Sequence, residues 1–224
     1  MDERVVLRRQ MRQRRGALDA VTQLCAGEAL AQHLQRLPEL GPAAKVAGYW
    51  ASNGELSLHA LLSARQDLRY FLPCLQFGRI LRFASWRIGE PVVANRLGIP
   101  EPLVQPEMQV AAGEMDVILL PLLAFDRSGA RLGMGGGYYD RTCAFRSGAR
   151  PIAAIAREAL QTDAWAQHDA ACGEAQCRVV ERPLLVGIGY HWQEHPGLPV
   201  QPWDVPLDLI ATDHELIRVR QPAN

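Results

Sequence analysis

Apolar residues mark out the chain before any motif does. Between 19 and 37, Val21, Leu24, Cys25, Leu30, Leu34 and Leu37 recur at the spacing of one helix face, and Pro38, Gly41 and Pro42 end the run. Residues 3–16 are rich in helix formers but carry only a thin stripe of Val5, Leu7, Met11 and, just beyond, Leu18. Residues 45–50 read as a short buried strand, and Ser52, Asn53 and Gly54 as a turn. A helix is predicted over 57–66, with strands over 69–73 and 79–85. Residues 86–115 are broken by Pro and Gly and predict irregular chain. At 116–121 Val117, Ile118, Leu119 and Leu120 are apolar without alternation, as a strand covered on both faces requires. Further strands are predicted at 184–189 and 208–212, and a helix from Tyr138. The alanine-rich stretch 146–182 predicts a helix and connecting loop on the surface.

Strands separated by helical segments predict an α/β fold, a mostly parallel sheet flanked by helices in Rossmann-like fashion. The 224 residues suit one domain, 1–224, with the basic helix 3–16 as an arm. Basic and acidic residues balance at 24 each, so no net field draws the chain to nucleic acid or an anionic membrane. The balance conceals a cluster: Arg4, Arg8, Arg9, Arg12, Arg14 and Arg15 crowd the first fifteen residues, and Lys45 is the only lysine. No run reaches the about 18 apolar residues of a spanning helix. Five cysteines without regular spacing point to a reduced, cytoplasmic protein rather than a disulfide scaffold.

The candidate chemistry lies in 125–141. Four glycines, 133, 135, 136 and 137, fall within five residues after the strongest strand. Loops at the carboxyl ends of parallel strands are where α/β sheets take ligands. Glycine reaches positive φ cheaply and leaves backbone N–H groups open to an anion. Arg131 and Arg141 flank the loop and could clamp phosphate, and Asp140 is a hard carboxylate suited to Mg²⁺ beside a nucleotide. The loop lacks the Lys-Ser/Thr of a Walker motif and puts Tyr138 where G-x-G-x-x-G needs its last glycine. A glycine-rich hairpin with a packed tyrosine pair is the plainer alternative.

The segment RLGMGGGYYDR, preceded by LLPLLAFDRSG, resembles the signature of the 5-formyltetrahydrofolate cyclo-ligase family (methenyltetrahydrofolate synthetases). LRRQMRQRRGAL, GYWASNGELSLHALL, GIPEP, RPLLVGIGYHWQ and LPVQPWDVPLDLIATD resemble further family segments in the same order. The resemblance implies an enzyme, a ligase of one-carbon metabolism. It would close 5-formyltetrahydrofolate into 5,10-methenyltetrahydrofolate using ATP as co-substrate and Mg²⁺. It implies an ATP site of Arg4, Arg8, Arg131, Leu132, Gly133, Met134, Gly135, Gly136, Gly137, Tyr138 and Tyr139. The implied folate site is Trp50, Glu55 and 134–138, namely Met134, Gly135, Gly136, Gly137 and Tyr138. Asp140 and Asp204 match metal-associated carboxylates, with Asp208 a second choice, and Arg131 and Tyr138 are the expected catalytic residues. Compared with the family, 146–182 looks longer, and Arg4 and Gly136 stand where many or some members have lysine.

Each residue also has a plainer reading. Arg4 and Arg8 suit a solvated helix face. Trp50 suits a core position, and Glu55 a carboxylate satisfying backbone N–H groups. Asp204 and Asp208 suit an ordinary turn and strand start. The expected partners are small molecules, with no membrane or nucleic acid, and the expected state is a monomer or weak dimer. Rival readings are a same-fold enzyme acting on another pterin or a thiamine-related substrate, and a non-catalytic protein binding nucleotide or nucleic acid.

Overall fold

The computed structural model describes residues 2–146 and 183–219. Its centre is a seven-stranded sheet. Five strands run parallel: β1 (Lys45–Ala47), β2 (Arg69–Leu75), β6 (Val117–Pro121), β9 (Leu184–Ile188) and β10 (Leu209–Ala211). The edges are antiparallel, β3 (Leu81–Ser85) against β2 and β11 (Leu216–Arg218) against β10. The spatial order is β11-β10-β9-β6-β1-β2-β3. From β1 the chain first builds outward through β2 and β3, then returns to β6 and builds the other way. The order therefore reverses between β1 and β6, where a crevice opens at the carboxyl ends of the strands.

Helices α1 (Glu3–Gly16), α2 (Ala20–Leu34) and α3 (His59–Ala64) precede or cross between these strands. Asp2 caps α1 by accepting from the Arg4 N–H, and Asp19 caps α2 through Thr22. Val117, Ile118, Leu119 and Leu120 are all fully buried, alternating between two clusters. Val117 and Leu119 face the α2–α3 side; Ile118 and Leu120 face Phe83, Met115 and Leu185. A strand covered on both faces reads as a continuous apolar run for this reason.

Several expectations are corrected. β1 is three residues long rather than six, because the chain leaves the sheet after Gly48, whose N–H makes the last bond to β2, at the Phe71 carbonyl. A Cβ at Gly48 would collide with the Tyr70 ring. Two small hairpins went unforeseen: β4 (Val92–Ala94) with β5 (Pro100–Pro102), inside the stretch expected to be irregular, and β7 (Ala124–Phe125) with β8 (Arg131–Leu132). The helix at Tyr138, α4 (Tyr138–Thr142), is only five residues, too short to present a substantial dipole. Val21 and Leu24, expected in the apolar stripe of α2, are exposed. The helix and loop expected over 146–182 lie, beyond Arg146, outside the described residues.

Candidate active site

Four arginines of α1 form one stripe. Positions 4, 8, 12 and 15 are spaced by four, four and three, so they share a helix face. Each reaches a different part of the crevice. Arg4 makes a two-pronged pair with Asp204, Nη1 to Oδ2 at 2.7 Å and Nη2 to Oδ1 at 3.3 Å. Arg8 Nε donates to the Gly133 carbonyl at 3.0 Å, and Arg12 Nη2 to the Met134 carbonyl at 2.7 Å. Arg15 donates to the Asn53 and Leu122 carbonyls, at the ends of β1 and β6 respectively. Leu7, on the same side of α1, packs with Ala124, Leu132 and Leu198. α1 is thus docked by a little apolar packing and a row of charge-assisted hydrogen bonds.

The glycine loop leaves β8 and enters α4. Gly135 has φ +95° and Gly137 φ +68°, a region L-residues rarely visit. A Cβ at Gly137 would lie 2.5 Å from Arg141 Nη1, which itself donates to the Gly136 and Gly137 carbonyls. Arg79, from the β2–β3 turn, also reaches the Gly136 carbonyl, and Arg96 donates to the Tyr138 hydroxyl at 3.2 Å. The loop's carbonyls are therefore turned to arginines from three segments, α1, the β2–β3 turn and α4, which fixes its path and surrounds it with positive charge. Met134 is exposed at its tip, while the Leu132 side chain is buried against α1, so Leu132 can offer a ligand only its backbone. Burial raises the Tyr139 phenol well above its ordinary pKa.

Beside the loop, Arg12, Arg15, Gly16, Asn53, Gly54 and Met134 help line a cleft of about 650 Å³. Glu55, next in the chain to the lining residue Gly54, has 8% of its side chain exposed. Its Oε2 accepts from the Ser52 N–H at 3.0 Å and lies 3.3 Å from the Ser52 hydroxyl; Oε1 faces Arg15 at 3.7 Å. Burial raises the Glu55 pKa, and the Arg15 cation opposes that rise. Trp50 packs edge-to-face on Trp86, centroids 5.5 Å apart, against the core. Tyr190 donates from its hydroxyl to the Gly54 carbonyl at 3.0 Å, and Trp192 stacks on Tyr190.

The two carboxylates expected at a metal differ in what they can still offer. Asp140 Oδ1 accepts from Arg131 Nη2 at 2.5 Å and from the Val205 N–H at 3.2 Å, leaving Oδ2 without a hydrogen bond to any described residue. Asp204 has both oxygens occupied, by Arg4 and by the Gln201 N–H. Mg²⁺ commonly takes one or two carboxylates together with substrate phosphates. Asp140 fits that donor set and Asp204, held as it is, does not. Asp208 is closed off likewise, paired with Arg146 at 2.7 Å on both oxygens. Among the described residues, the one three-membered group of possible metal ligands is His191, Asp213 and His214, on turns after β9 and β10.

Sequence reasoning picked out Arg4 and Arg8 but passed over Arg12 and Arg15. The signal was present in their helical spacing. Arg79 and Arg96 come from turns and carried no signal of their own.

A mostly parallel α/β sheet whose strand order reverses between β1 and β6, with an arginine-wrapped glycine loop on its carboxyl-end side, defines the class of α/β proteins with a ligand-type cleft at a topological switch point. Comparison with known proteins narrows the class. The family model for the 5-formyltetrahydrofolate cyclo-ligase family matches residues 1–161. The 5-formyltetrahydrofolate cyclo-ligase of Haemophilus influenzae is 31% identical over 92% of this chain and 95% of its own. That of Escherichia coli is 32% identical over 90% and 96%. The chain belongs to the 5-formyltetrahydrofolate cyclo-ligase family. The solution structure of Aquifex aeolicus 5,10-methenyltetrahydrofolate synthetase superposes with a TM-score of 0.71 at 25% identity, covering 99% of this chain and 95% of that one. A Mycoplasma pneumoniae 5,10-methenyltetrahydrofolate synthetase shares the fold at 22% identity, with a TM-score of 0.63 over 95% and 99%.

Proposed function

We propose that this protein is an ATP-dependent ligase that cyclises 5-formyltetrahydrofolate to 5,10-methenyltetrahydrofolate, releasing ADP and phosphate. The observation that carries the reading is that Arg8 and Arg12 of the α1 stripe reach the glycine loop, and Arg15 of the same stripe reaches the ends of the chain segments beside it, at the sheet's switch point. That is a preorganised polyanion site, supplied by the very segments on which the family resemblance rests.

An N-formyl group is an amide, with a weakly electrophilic carbon and a poor leaving group. In the proposed reaction the formyl oxygen attacks the γ-phosphorus of ATP and ADP departs. N10 of the folate then attacks the formyl carbon and loses its proton, and the formyl oxygen leaves as phosphate. Catalysis of the first step is mostly positioning and charge stabilisation. Arg8, Arg12 and Arg131 are placed to hold the triphosphate along the loop, and Gly133, Gly135, Gly136 and Gly137 leave room for its approach. Tyr138 and Tyr139 close the loop's far end, Tyr138 beside the reacting groups. Arg4 supports this face of α1 through Asp204. Trp50 and Glu55 are assigned to the pterin side, with Glu55 as a hydrogen-bond acceptor. Mg²⁺ would be held by Asp140 with the phosphates, supplying charge neutralisation between them.

We place the reaction in the cytoplasm, where the free thiols of Cys25, Cys74 and Cys143 would persist. The partners are its two small-molecule substrates, and a monomer or weak dimer suffices, since one chain carries every residue named. The test is absorbance at the methenyl-folate band on mixing protein, 5-formyltetrahydrofolate, ATP and Mg²⁺. Growth requiring all three additions supports the reading. No growth, with ATP binding intact by calorimetry, would move the substrate to another pterin or amide-like metabolite.

A further inference from the structure

The segments that follow β1 and β6 are bridged by a buried arginine that the reaction scheme does not use. Arg15 is 1% exposed and always charged. Its Nε donates to the Asn53 carbonyl at 3.0 Å, in the turn after β1. Nη1 lies 3.4 Å from the Leu122 carbonyl, just past β6, and 3.7 Å from Glu55 Oε1. Nη2 lies 3.9 Å from the Met134 sulfur, at the tip of the glycine loop. One guanidinium therefore touches the turn assigned to folate, the end of the central strand and the loop assigned to ATP.

We propose that Arg15 is a positioning residue that fixes the folate-side turn, 52–55, relative to the glycine loop and so couples the two substrates' sites. The inference rests on the functional reading above for the identity of those substrates. Its geometry stands apart from it. Glu55 has one oxygen on Ser52 and the other toward Arg15, so these two residues set its orientation. The turn is also pressed directly on α1. Gly54 has φ +75°, and a Cβ there would lie 2.8 Å from the carbonyl oxygen of Arg15 itself. A planar fork with five donors can serve acceptors in three directions at once, and a lysine ammonium on a flexible stem cannot hold that arrangement. A mere core plug would need no partner in the glycine loop, yet Nη2 is aimed at Met134.

The experiment compares full-length wild type, Arg15→Lys and Glu55→Gln. Amide exchange is followed in peptides spanning 51–56 and 132–138 without ligand, alongside steady-state kinetics against each substrate. Arg15→Lys is expected to speed exchange on the order of tenfold in both segments while the β6 and β9 amides stay protected. Both KM values should rise, with kcat/KM for folate falling on the order of a hundredfold. Glu55→Gln should affect 51–56 and the folate KM alone. Exchange raised in only one segment, in neither, or uniformly through the sheet overturns the coupling role. If Arg15→Lys does not fold, Met134→Leu removes the sulfur contact at nearly constant volume. Faster exchange at 51–56 in that variant supports the tie, and an unchanged rate there refutes it. Should wild type turn over no 5-formyltetrahydrofolate, the substrate assignment fails while the exchange data still decide Arg15.

Discussion

Arg131 Nη2 donates to Asp140 Oδ1 at 2.5 Å across the glycine loop, and the Arg131 Nε is buried with no hydrogen-bond partner among the described residues. The pair closes the loop at its base. It also means that Asp140 has two duties, holding a buried cation and offering its second oxygen to Mg²⁺. Asp140→Ala should therefore lower unfolding free energy by about 3 kcal/mol, because Arg131 is left charged and unpaired. It should also raise the half-saturating Mg²⁺ concentration more than about tenfold, one carboxylate being lost from a sparse donor set. Asp204→Ala should cost stability through Arg4 without moving the Mg²⁺ requirement. Urea unfolding and Mg²⁺ titration of turnover distinguish the two, and a normal Mg²⁺ requirement in Asp140→Ala would sink the metal assignment.

Arg8 and Arg12 each give the glycine loop one charge-assisted hydrogen bond. Arg8→Ala and Arg12→Ala should each lose about 2 kcal/mol of interaction, seen as a roughly thirtyfold fall in kcat/KM for ATP. Effects on the folate KM should be smaller for Arg8 than for Arg12, which also lines the 650 Å³ cleft. Equal ATP kinetics in wild type and Arg8→Ala would remove α1 from the triphosphate site.

Gly135 is constrained by its backbone rather than by crowding. A Cβ there meets only the Arg8 guanidinium, at 3.6 Å, which is ordinary contact, but φ +95° is costly for any L side chain. Gly135→Ala should thus strain or reshape the loop at a cost of about 1–2 kcal/mol, and weaken ATP binding by about tenfold in calorimetry. An unchanged ATP affinity would mean that the loop's present path is not the one that receives phosphate.

Glu55 gives stability a pH dependence of definite sign. Burial raises its folded-state pKa, outweighing the neighbouring Arg15 and the Ser52 hydrogen bonds, which lower it. A carboxyl shifted this way stabilises fully below its unfolded pKa of about 4.3 and loses that contribution as pH rises through the folded value. Glu55→Gln abolishes the titration. Its stability deficit against wild type should be largest near the acid end and narrow toward neutral pH in paired urea denaturations. A deficit that widens with pH would show that the Arg15 pairing, not burial, dominates.

Much of the sheet was legible because central parallel strands must be apolar on both faces, as 117–120 and 184–186 are. The hairpins were not. β5 carries Pro100 and Pro102, which argue against a strand, and β7–β8 pairs only two residues on each side. The glycine loop declared itself through composition. Its surroundings did not, since Arg79 and Arg96 approach from turns with no periodicity to connect them to 133–137. Asp140 and Asp204 illustrate a different limit. A carboxylate in a sequence does not say whether its partner is a cation from a side chain or from solution, and here arginines took one oxygen of the first and both of the second.

The inward stripe of α1 is guanidinium where an ordinary helix would carry leucine, with Leu7 its one fully buried apolar residue. Such a helix gains little from hydrophobic collapse and has nothing to bind until the sheet's carboxyl-end loops have taken shape. Its docking is accordingly expected late in folding, to be checked by whether substitutions in α1 change the unfolding rate rather than the folding rate. On that expectation the sheet forms first as an inert scaffold, and the arrival of α1 completes the site.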